Sequence, residues 1–428
     1  MNPIIPSFIF SFFPIAYIAG PLLVNINIAL FVFHSVWSLS KFKTKIILNK
    51  YDILIFILFT YIIIIGIFNS INYIFFNEGN FNDLTVLTKS FLYLRYFALY
   101  LSIRLMIEFK LLNTKYLFIT ALVSVIFVSL DLIYQSIFTK DIFGLISPTE
   151  YKLTGPFGDE EIAGSYIQKF SIIAFFALIF FFKLTNIKRN FFLIAVILLF
   201  FYAILISGNR MSAALYILSL TILFLSLKNF RKYFIYIFSL VLILNVLIFK
   251  FNPTVNDYLT NFYSTSVKII KIFNFRITGV GNDIAYEERP NYLHEFDSGF
   301  GTWKMNKFFG GGIKSFRYNC IYRKHVDLEE RFVCNMHPHN YYLEILSDLG
   351  LSGLLIILIF LSIAFKDIYI NNRENNLSYP FLIFLIIEFF PIRSSGSFFT
   401  TNNSSLIFLA MGVMVGLYQL NKLKSEKN

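Results

Sequence analysis

The feature that most constrains this fold is a succession of apolar runs, each about 20 residues long. An α-helix rises 1.5 Å per residue, so such a run crosses the hydrocarbon core of a bilayer. The chain is 57% hydrophobic and 14% charged, whereas a soluble domain is about 25% charged. We therefore predict an all-α integral membrane protein with about 12 transmembrane helices, at 4–19, 21–40, 52–76, 88–108, 116–138, 165–183, 191–206, 211–227, 233–250, 340–365, 378–393 and 405–420. Because Pro14 and Pro21 interrupt the first two runs, one re-entrant hairpin is the alternative there.

Lysines and arginines indicate how the chain is oriented. Cytoplasmic loops of membrane proteins are enriched in these residues. Seventeen of them, against three acids, lie in short segments that alternate correctly along the chain, at 41–50, 109–115, 183–190, 228–232, 366–377 and 421–428. Both termini are therefore predicted to be cytoplasmic. These segments account for the formal net charge of +12, so the basic balance reflects topology and implies no nucleic-acid partner.

The spans divide the chain into three parts. Residues 1–250 form an N-terminal transmembrane bundle of about nine spans, and residues 340–428 add about three more. Between them, residues 251–339 form the one large extracytoplasmic loop. Two short helices are predicted inside this loop, near 256–273 and 292–308, with aromatic and apolar residues that suit a membrane interface.

The segment Met336-His337-Pro338-His339-Asn340 lies where this loop meets the next apolar run. A lone histidine in a loop is ordinarily a surface residue. Here two of the chain's five histidines stand at the mouth of a span, where ionisable groups are candidates for function. An imidazole can act as a general base near neutral pH, so His339 is the catalytic candidate and His337 a supporting residue. Asn340 suits a helix N-cap, and the helix end behind it favours an anion.

Four further residues lie on the helix predicted to follow. Gly350 and Gly353 are one turn apart, and small residues let membrane helices approach closely, so we expect them to pack against a neighbouring helix. Glu344 and Asp348 form an acidic pair with i, i+4 spacing near the outer end of the helix. Two interpretations of this pair stay open: the side chains face a cavity, or they face the headgroup region.

Cys320 and Cys334 are the chain's two cysteines, and both fall in the large loop. An extracytoplasmic loop permits a disulfide, which would brace the segment just before His337. Two unpaired thiols are the first alternative. A zinc site that also uses His337 and His339 is the second, although the cysteine spacing fits no familiar zinc pattern.

Arginines are the candidates for binding phosphate. The turn Ser207-Gly208-Asn209-Arg210 joins two spans on the same side as His339, and arginine binds phosphate through a bidentate fork. Ordinary contact with lipid headgroups is the alternative for Arg210. Arg276 and Arg317 in the large loop are candidates for a second phosphate contact.

Several of these residues together resemble the sequence signature of a known family. His339-Asn340, nine residues and then Gly350-x-x-Gly353 resemble the signature of the O-antigen ligase and polymerase superfamily. The run 307–317, with three consecutive glycines, and the Ser-Gly-x-Arg turn at 207–210 are also similar to that family. Leu354 stands where ligases often continue with Thr or Tyr, which slightly favours a polymerase.

This resemblance implies a C-type, inverting, metal-independent membrane glycosyltransferase without a cofactor. The expected donor is a glycan on undecaprenyl diphosphate. The acceptor would be another glycan in a polymerase, or lipid A-core in a ligase, and a third variant would glycosylate protein. By family analogy His339 activates the acceptor hydroxyl and Arg210 holds the diphosphate. The expected location is the bacterial inner membrane, among membrane lipids, with the active site facing the periplasm.

The alternative function is a transporter or flippase of a lipid-linked oligosaccharide. Such a protein needs charged groups along a path through the bilayer. Only Arg95 and Glu388 are expected at mid-membrane, both facing the bundle interior. The sequence shows no clear inverted repeat or pair of broken helices, which are typical of transporters.

Overall fold

The protein is described by a computed structural model. It describes residues 3–41, 46–76, 83–149, 152–226, 239–240, 243, 253–279, 284, 288–322, 334–370, 377–393 and 396–425. The described part is helical apart from loops and two isolated β-bridges. Its α-helices are α1 Ile4–Ser11, α2 Phe13–Ile18, α3 Pro21–Ser40, α4 Lys50–Phe76, α5 Asp83–Glu108, α6 Lys115–Phe138, α7 Ala163–Phe180, α8 Asn186–Ile206, α9 Arg210–Ser226, α10 Pro253–Thr278, α11 Asn291–Met305, α12 Phe316–Asn319, α13 Tyr341–Ala364, α14 Tyr379–Glu388 and α15 Thr401–Ser425.

Within the described ranges, eight helices are long and apolar enough to cross a membrane, judged by length and composition. They are α3 to α8, α13 with its π-helical extension Phe365–Ile370, and α15. Three other predicted spans are shorter apolar helices, namely α1–α2, α9 and α14. The predicted span 233–250 lies almost wholly outside the described residues. The all-α membrane class is thus confirmed, whereas a total of twelve crossings stays a prediction.

The most extensive packing between helices joins the C-terminal α15 to α5. Two glycines four residues apart, Gly412 and Gly416, face α5. A Cβ at Gly412 would lie 2.9 Å from the Tyr100 carbonyl oxygen, and one at Gly416 would lie 3.1 Å from the Arg104 carbonyl oxygen. Small residues at this spacing allow two membrane helices to touch along their backbones. The last helix is therefore built into the N-terminal bundle.

Helix α13 is broken at Gly350, where φ is +66° and ψ is −172°. A break inside an apolar helix frees backbone groups that cannot remain unpaired in a buried environment. Here the segment 307–312 supplies the missing partners. Leu351 N–H donates to the Lys307 carbonyl (2.9 Å) and Ser352 N–H to the Phe308 carbonyl (3.2 Å).

The freed carbonyls on the other side of the break are bonded in the same way. The Ser347 carbonyl accepts from Gly311 N–H (3.0 Å), and the Asp348 carbonyl accepts from Gly312 N–H (2.7 Å). The Leu349 carbonyl accepts from the Tyr61 hydroxyl of α4 (2.7 Å). We call the pairing of segments 307–312 and 347–352 the clip.

Two glycines allow the two halves of the clip to touch. A Cβ at Gly350 would lie 2.3 Å from the Phe308 carbonyl, and one at Gly310 would lie 2.4 Å from the Asp348 carbonyl carbon. The expectation that Gly350 packs against a membrane helix is therefore wrong, since it contacts loop backbone instead. A Cβ at Gly353 would lie 3.3 Å from the Tyr61 ring of α4, beside Leu349 of its own helix, so that position fits the packing interpretation.

The two helices predicted in the large loop are present with shifted bounds. The first is α10, Pro253–Thr278, and the second is α11, Asn291–Met305. Helix α11 packs against α13, at its N-terminal end. The contact is close because a Cβ at Gly299 would lie 2.9 Å from Pro338 and 3.0 Å from Leu343. The loop is thereby attached directly to the segment that carries the histidines.

Candidate functional site

A cavity of about 810 Å³ lies where several distant segments of the chain meet. Its walls include the start of α7, the α8–α9 turn, the segment before α13 and the start of α15. Among the described residues that line it are two histidines, five cations and two carboxylates: His337, His339, Lys152, Lys169, Arg210, Lys314, Arg393, Glu160 and Glu161. The excess of positive charge favours an anionic ligand.

The helix ends around the cavity add to this positive field. Of the described helices, α7, α9 and α15 begin at or next to residues that line it. The N-terminus of a helix carries a partial positive charge and free N–H groups. Such ends bind phosphate and carboxylate in many proteins. The side chains and the helix N-termini therefore both favour a negatively charged ligand.

Arg210 lies in the cavity wall as the first residue of α9. The preceding turn is tight because Gly208 takes the left-handed conformation, with φ +73°. The turn packs against the start of α7, where a Cβ at Gly164 would lie 2.3 Å from Ser207 Oγ. The predicted turn between two helices at 207–210 is thus present, and a neighbouring glycine fixes its position.

Asn340 is the N-cap of α13, as expected from the sequence. Its Oδ1 accepts from the N–H groups of Tyr342 (2.9 Å) and Leu343 (3.2 Å). Its Nδ2 donates to the carbonyls of Pro391 and Arg393, both at 2.9 Å. One side chain therefore fixes the start of α13 and attaches it to the loop that carries Arg393.

His339 lines the cavity in a left-handed conformation, with φ +50°. A non-glycine residue in this region is strained, and such residues concentrate at functional sites. Its Nε2 lies 3.8 Å from Oε1 of Glu295 on α11, and its side chain is 35% exposed. Asn335 Nδ2 donates to the same Glu295 oxygen (2.9 Å). The imidazole can thus reach both a carboxylate and the open cavity.

His337 packs directly against His339, with ring centroids 4.2 Å apart. Burial lowers the pKa of His337 to about 4, helped by electrostatic interaction with His339, Arg317 and Lys314. The ring is therefore neutral at pH 7. Its Nε2 is buried and has no hydrogen-bond partner among the described residues. These features suit a residue that supports the position of His339.

Glu344 and Asp348 do not line the cavity, which corrects both interpretations drawn from the sequence. Both side chains are buried and bind loops that fold over α13. Glu344 accepts from Ser397 Oγ and Phe398 N–H, both at 2.5 Å. Asp348 accepts from Lys314 N–H at 2.6 Å. Each carboxyl group replaces lost water with backbone and hydroxyl donors, as a buried polar group requires.

Cys320 and Cys334 are joined by a disulfide, with Cα atoms 5.7 Å apart. Because both thiols are used, neither cysteine is available as a zinc ligand. Cys320 is fully buried beside α12, and Cys334 is three residues before His337. The disulfide thus connects the segment after the clip to the segment that carries the histidines.

The two arginines expected as second phosphate contacts are not among the described residues lining the cavity. Arg276 lies on α10, and its side chain falls outside the described part of the structure. Arg317 lies on α12 and does not line the cavity, although its charge acts on Lys314 and His337. The lining residue from this region is Lys314.

Lys169 also lines the cavity, and the sequence did not identify it although it lies inside a predicted span. It is buried six residues into α7. Its Nζ donates to Asn403 Oδ1 and lies 4.0 Å from Glu388 Oε2. Arg393 Nη1 lies 2.6 Å from the other oxygen of Glu388. A charged residue within an apolar run was the signal that could have identified Lys169.

One stretch of the chain carries the Arg210 turn, the clip, His339, Gly350 and Gly353. Residues 193–358 match the O-antigen ligase family. This match confirms the resemblance to the O-antigen ligase and polymerase superfamily over that stretch. A search of curated proteins found no match. Over residues 193–358 this similarity supports a glycosyltransferase-type enzyme that ligates or polymerises glycans, and the apolar helices indicate a multi-pass membrane protein.

Proposed function

We propose that the protein transfers a glycan from undecaprenyl diphosphate to an acceptor hydroxyl, with inversion at the anomeric carbon and no metal ion. The observation that carries this proposal is the single cavity lined by His339, Arg210 and further cations. Glycan transfer from a lipid diphosphate needs a base for the acceptor and positive charge for the leaving group. The cavity offers both kinds of group.

In the proposed reaction the acceptor oxygen attacks the anomeric carbon while the carbon–oxygen bond to phosphate breaks. The hydroxyl proton passes to the His339 imidazole, and the bonding electrons leave with the lipid diphosphate. Arg210 and the helix N-termini stabilise the charge that develops on that leaving group. The attacking and leaving oxygens lie on opposite sides of the carbon, so the configuration inverts.

Glu295 has a positioning role in this proposal. Its carboxylate lies 3.8 Å from His339 Nε2, and catalytic hydrogen bonds are often long before substrate binds. A proton on Nε2 would point to Glu295 and leave Nδ1 to accept the acceptor's proton. The carboxylate would then stabilise the imidazolium that forms. Gly299 supports this pair, because it lets α11 approach Pro338 closely.

The proposed location is the bacterial inner membrane, with the cavity facing the periplasm and both termini in the cytoplasm. The positively charged short loops support this orientation. A lipid-linked donor suits it as well, because the lipid anchor and its glycan remain at the membrane surface. Within the superfamily, Leu354 supports polymerisation of repeat units over ligation to lipid A-core.

The test is surface-glycan analysis in a deletion strain complemented with His339→Ala. We expect normal insertion and no restoration of the glycan. His34→Ala is the matched control, because His34 lies on α3 and bonds to Ser38 of the same helix. A wild-type glycan from His339→Ala would refute the catalytic assignment.

The banding pattern in the same gel separates the two subtypes. Loss of a polymerase leaves single repeat units on the core. Loss of a ligase leaves bare core while the polymer stays on its lipid carrier. Single-repeat caps in the deletion strain would therefore support the polymerase proposal, and bare core would replace it with a ligase.

A further inference from the structure

Two cavity residues share an unusual backbone conformation. Among the described non-glycine residues, Lys110, Thr139, Lys314 and His339 have positive φ. Lys314, at φ +60°, and His339, at φ +50°, both line the cavity. The left-handed region is unfavourable for a side chain with a Cβ, so such residues persist only where their surroundings hold them.

A buried carboxylate holds Lys314 in this conformation. Asp348 Oδ2 accepts from Lys314 N–H (2.6 Å), and Asp348 Oδ1 accepts from Phe316 N–H (3.0 Å) and Ser315 Oγ (3.1 Å). The Asp348 carbonyl also accepts from Gly312 N–H (2.7 Å) as part of the clip. Backbone on both sides of Lys314 is thus bound to one residue of α13. The strain is maintained by contacts that would be unnecessary for an ordinary surface lysine.

The electrostatic environment of Lys314 is cationic. Its pKa is lowered, first by burial and then by the positive charges of Arg317 and Lys89, with Glu344 acting in the opposite direction. The nearby acids already bind other groups, since Asp348 binds the 314–316 backbone and Glu344 binds the loop before α15. An anion in the cavity would relieve this repulsion.

We propose that Lys314 is a second phosphate contact in the cavity. It binds the phosphate of a polyprenyl diphosphate that Arg210 does not hold. The two cations come from separate parts of the chain, Arg210 from the α8–α9 turn and Lys314 from the segment bound to Asp348. This inference rests on the proposed function, because it assigns the donor's diphosphate to the same cavity.

The experiment measures binding of farnesyl diphosphate and farnesyl monophosphate to the purified full-length protein in nanodiscs. For Lys314→Met we expect diphosphate affinity to fall about 10- to 100-fold, the range for a charge-assisted contact. Monophosphate affinity should change far less. Lys89→Met is the matched control, because Lys89 lies near Lys314 without lining the cavity. We expect its affinities to stay within about twofold of the parent, since it alters only the surrounding field.

Lys314→Gly separates binding from folding. Glycine adopts φ +60° without strain, so the melting temperature should not fall, whereas diphosphate binding should fall as in Lys314→Met. If both variants bind farnesyl diphosphate as tightly as the parent, the role of Lys314 is refuted while the proposed donor stands. Equal losses for the two ligands would also refute a contact to the second phosphate. A parent protein that binds neither ligand would refute the proposed donor as well.

Discussion

Replacing Gly350 by alanine tests whether the clip holds the site together. The new Cβ would lie 2.3 Å from the Phe308 carbonyl, in a backbone conformation with φ +66°. The two halves of the clip must therefore separate. At least the bonds from Leu351 N–H and Ser352 N–H to the 307–308 carbonyls should break. Backbone strain of about 1–3 kcal/mol and two lost hydrogen bonds of about 1 kcal/mol each lower the free energy of unfolding by roughly 3–5 kcal/mol.

The assay uses a tryptophan already present at the clip. The Trp303 indole N–H donates to the Lys307 carbonyl (2.9 Å), the same carbonyl that accepts from Leu351. In a Trp37→Phe background, Trp303 is the chain's remaining tryptophan. We expect Gly350→Ala to shift its emission to the red and to lower the midpoint of an unfolding titration in mixed micelles.

Gly158→Ala is the matched control for strain alone. Gly158 has φ +63°, and nothing lies within 4 Å of the position of its added Cβ. Gly158→Ala should therefore lower the free energy of unfolding by about 1–3 kcal/mol, which is less than for Gly350→Ala. Trp303 emission should not change. Gly310→Ala should open the same clip from the 307–312 segment. The loss in free energy of unfolding for the Gly310→Ala, Gly350→Ala double variant should therefore be smaller than the sum of the two single losses. Parent-like unfolding and emission for Gly350→Ala would refute the clip.

Four further predictions concern the cavity and its supports. Glu295→Gln should lower the rate of glycan transfer about tenfold through loss of imidazolium stabilisation, without changing donor affinity in a binding assay. Arg210→Ala should weaken farnesyl diphosphate binding about 10- to 100-fold, and a parent-like affinity would contradict its role. Because the pKa of His337 is lowered from 6.5 to about 4, the folded protein should lose stability as pH falls between these values, and His337→Asn should reduce this dependence in melting curves. Cys320 and Cys334 should resist maleimide labelling until reduced, and reduction should destabilise the loop by about 3 kcal/mol in the chain-entropy model.

The sequence predicted the helices well because apolar run length alone defines a membrane helix. The predicted span 21–40 coincides with α3, and 116–138 differs from α6 by one residue. The first predicted span is instead divided into α1 and α2 near Pro14. Proline lacks the N–H that a continuing helix requires, so a break there was foreseeable. Apolar composition by itself could not place that break.

The break at Gly350 could not be predicted from the sequence. The predicted span 340–365 extends across it, and a glycine in a membrane helix ordinarily indicates close packing. Whether the helix continues or breaks at Gly350 depends on segment 307–312, about 40 residues earlier, which supplies the missing hydrogen bonds. Such pairing between distant segments has no local sequence pattern.

The candidate site was predictable where a short motif carries it. His339 and Arg210 stand in a helix-capping segment and in a tight turn, and the structure brings both to one cavity. Lys314 and Glu295 could not be singled out, because their roles depend on Asp348 and on the close approach of α11 at Gly299. One lysine among many in a loop carries no such information.

The proposed reaction requires that His339 takes the acceptor's proton. The most direct measurement is glycan transfer by purified protein, with lipid-linked glycan extracted from the deletion strain as donor. His339→Gly keeps the left-handed backbone without strain and leaves space for added imidazole. We expect transfer to fall about 10²- to 10⁴-fold, the usual contribution of a general base, and to recover partly with imidazole. Parent-like transfer by His339→Gly, with the fold intact, would rule out this role of His339.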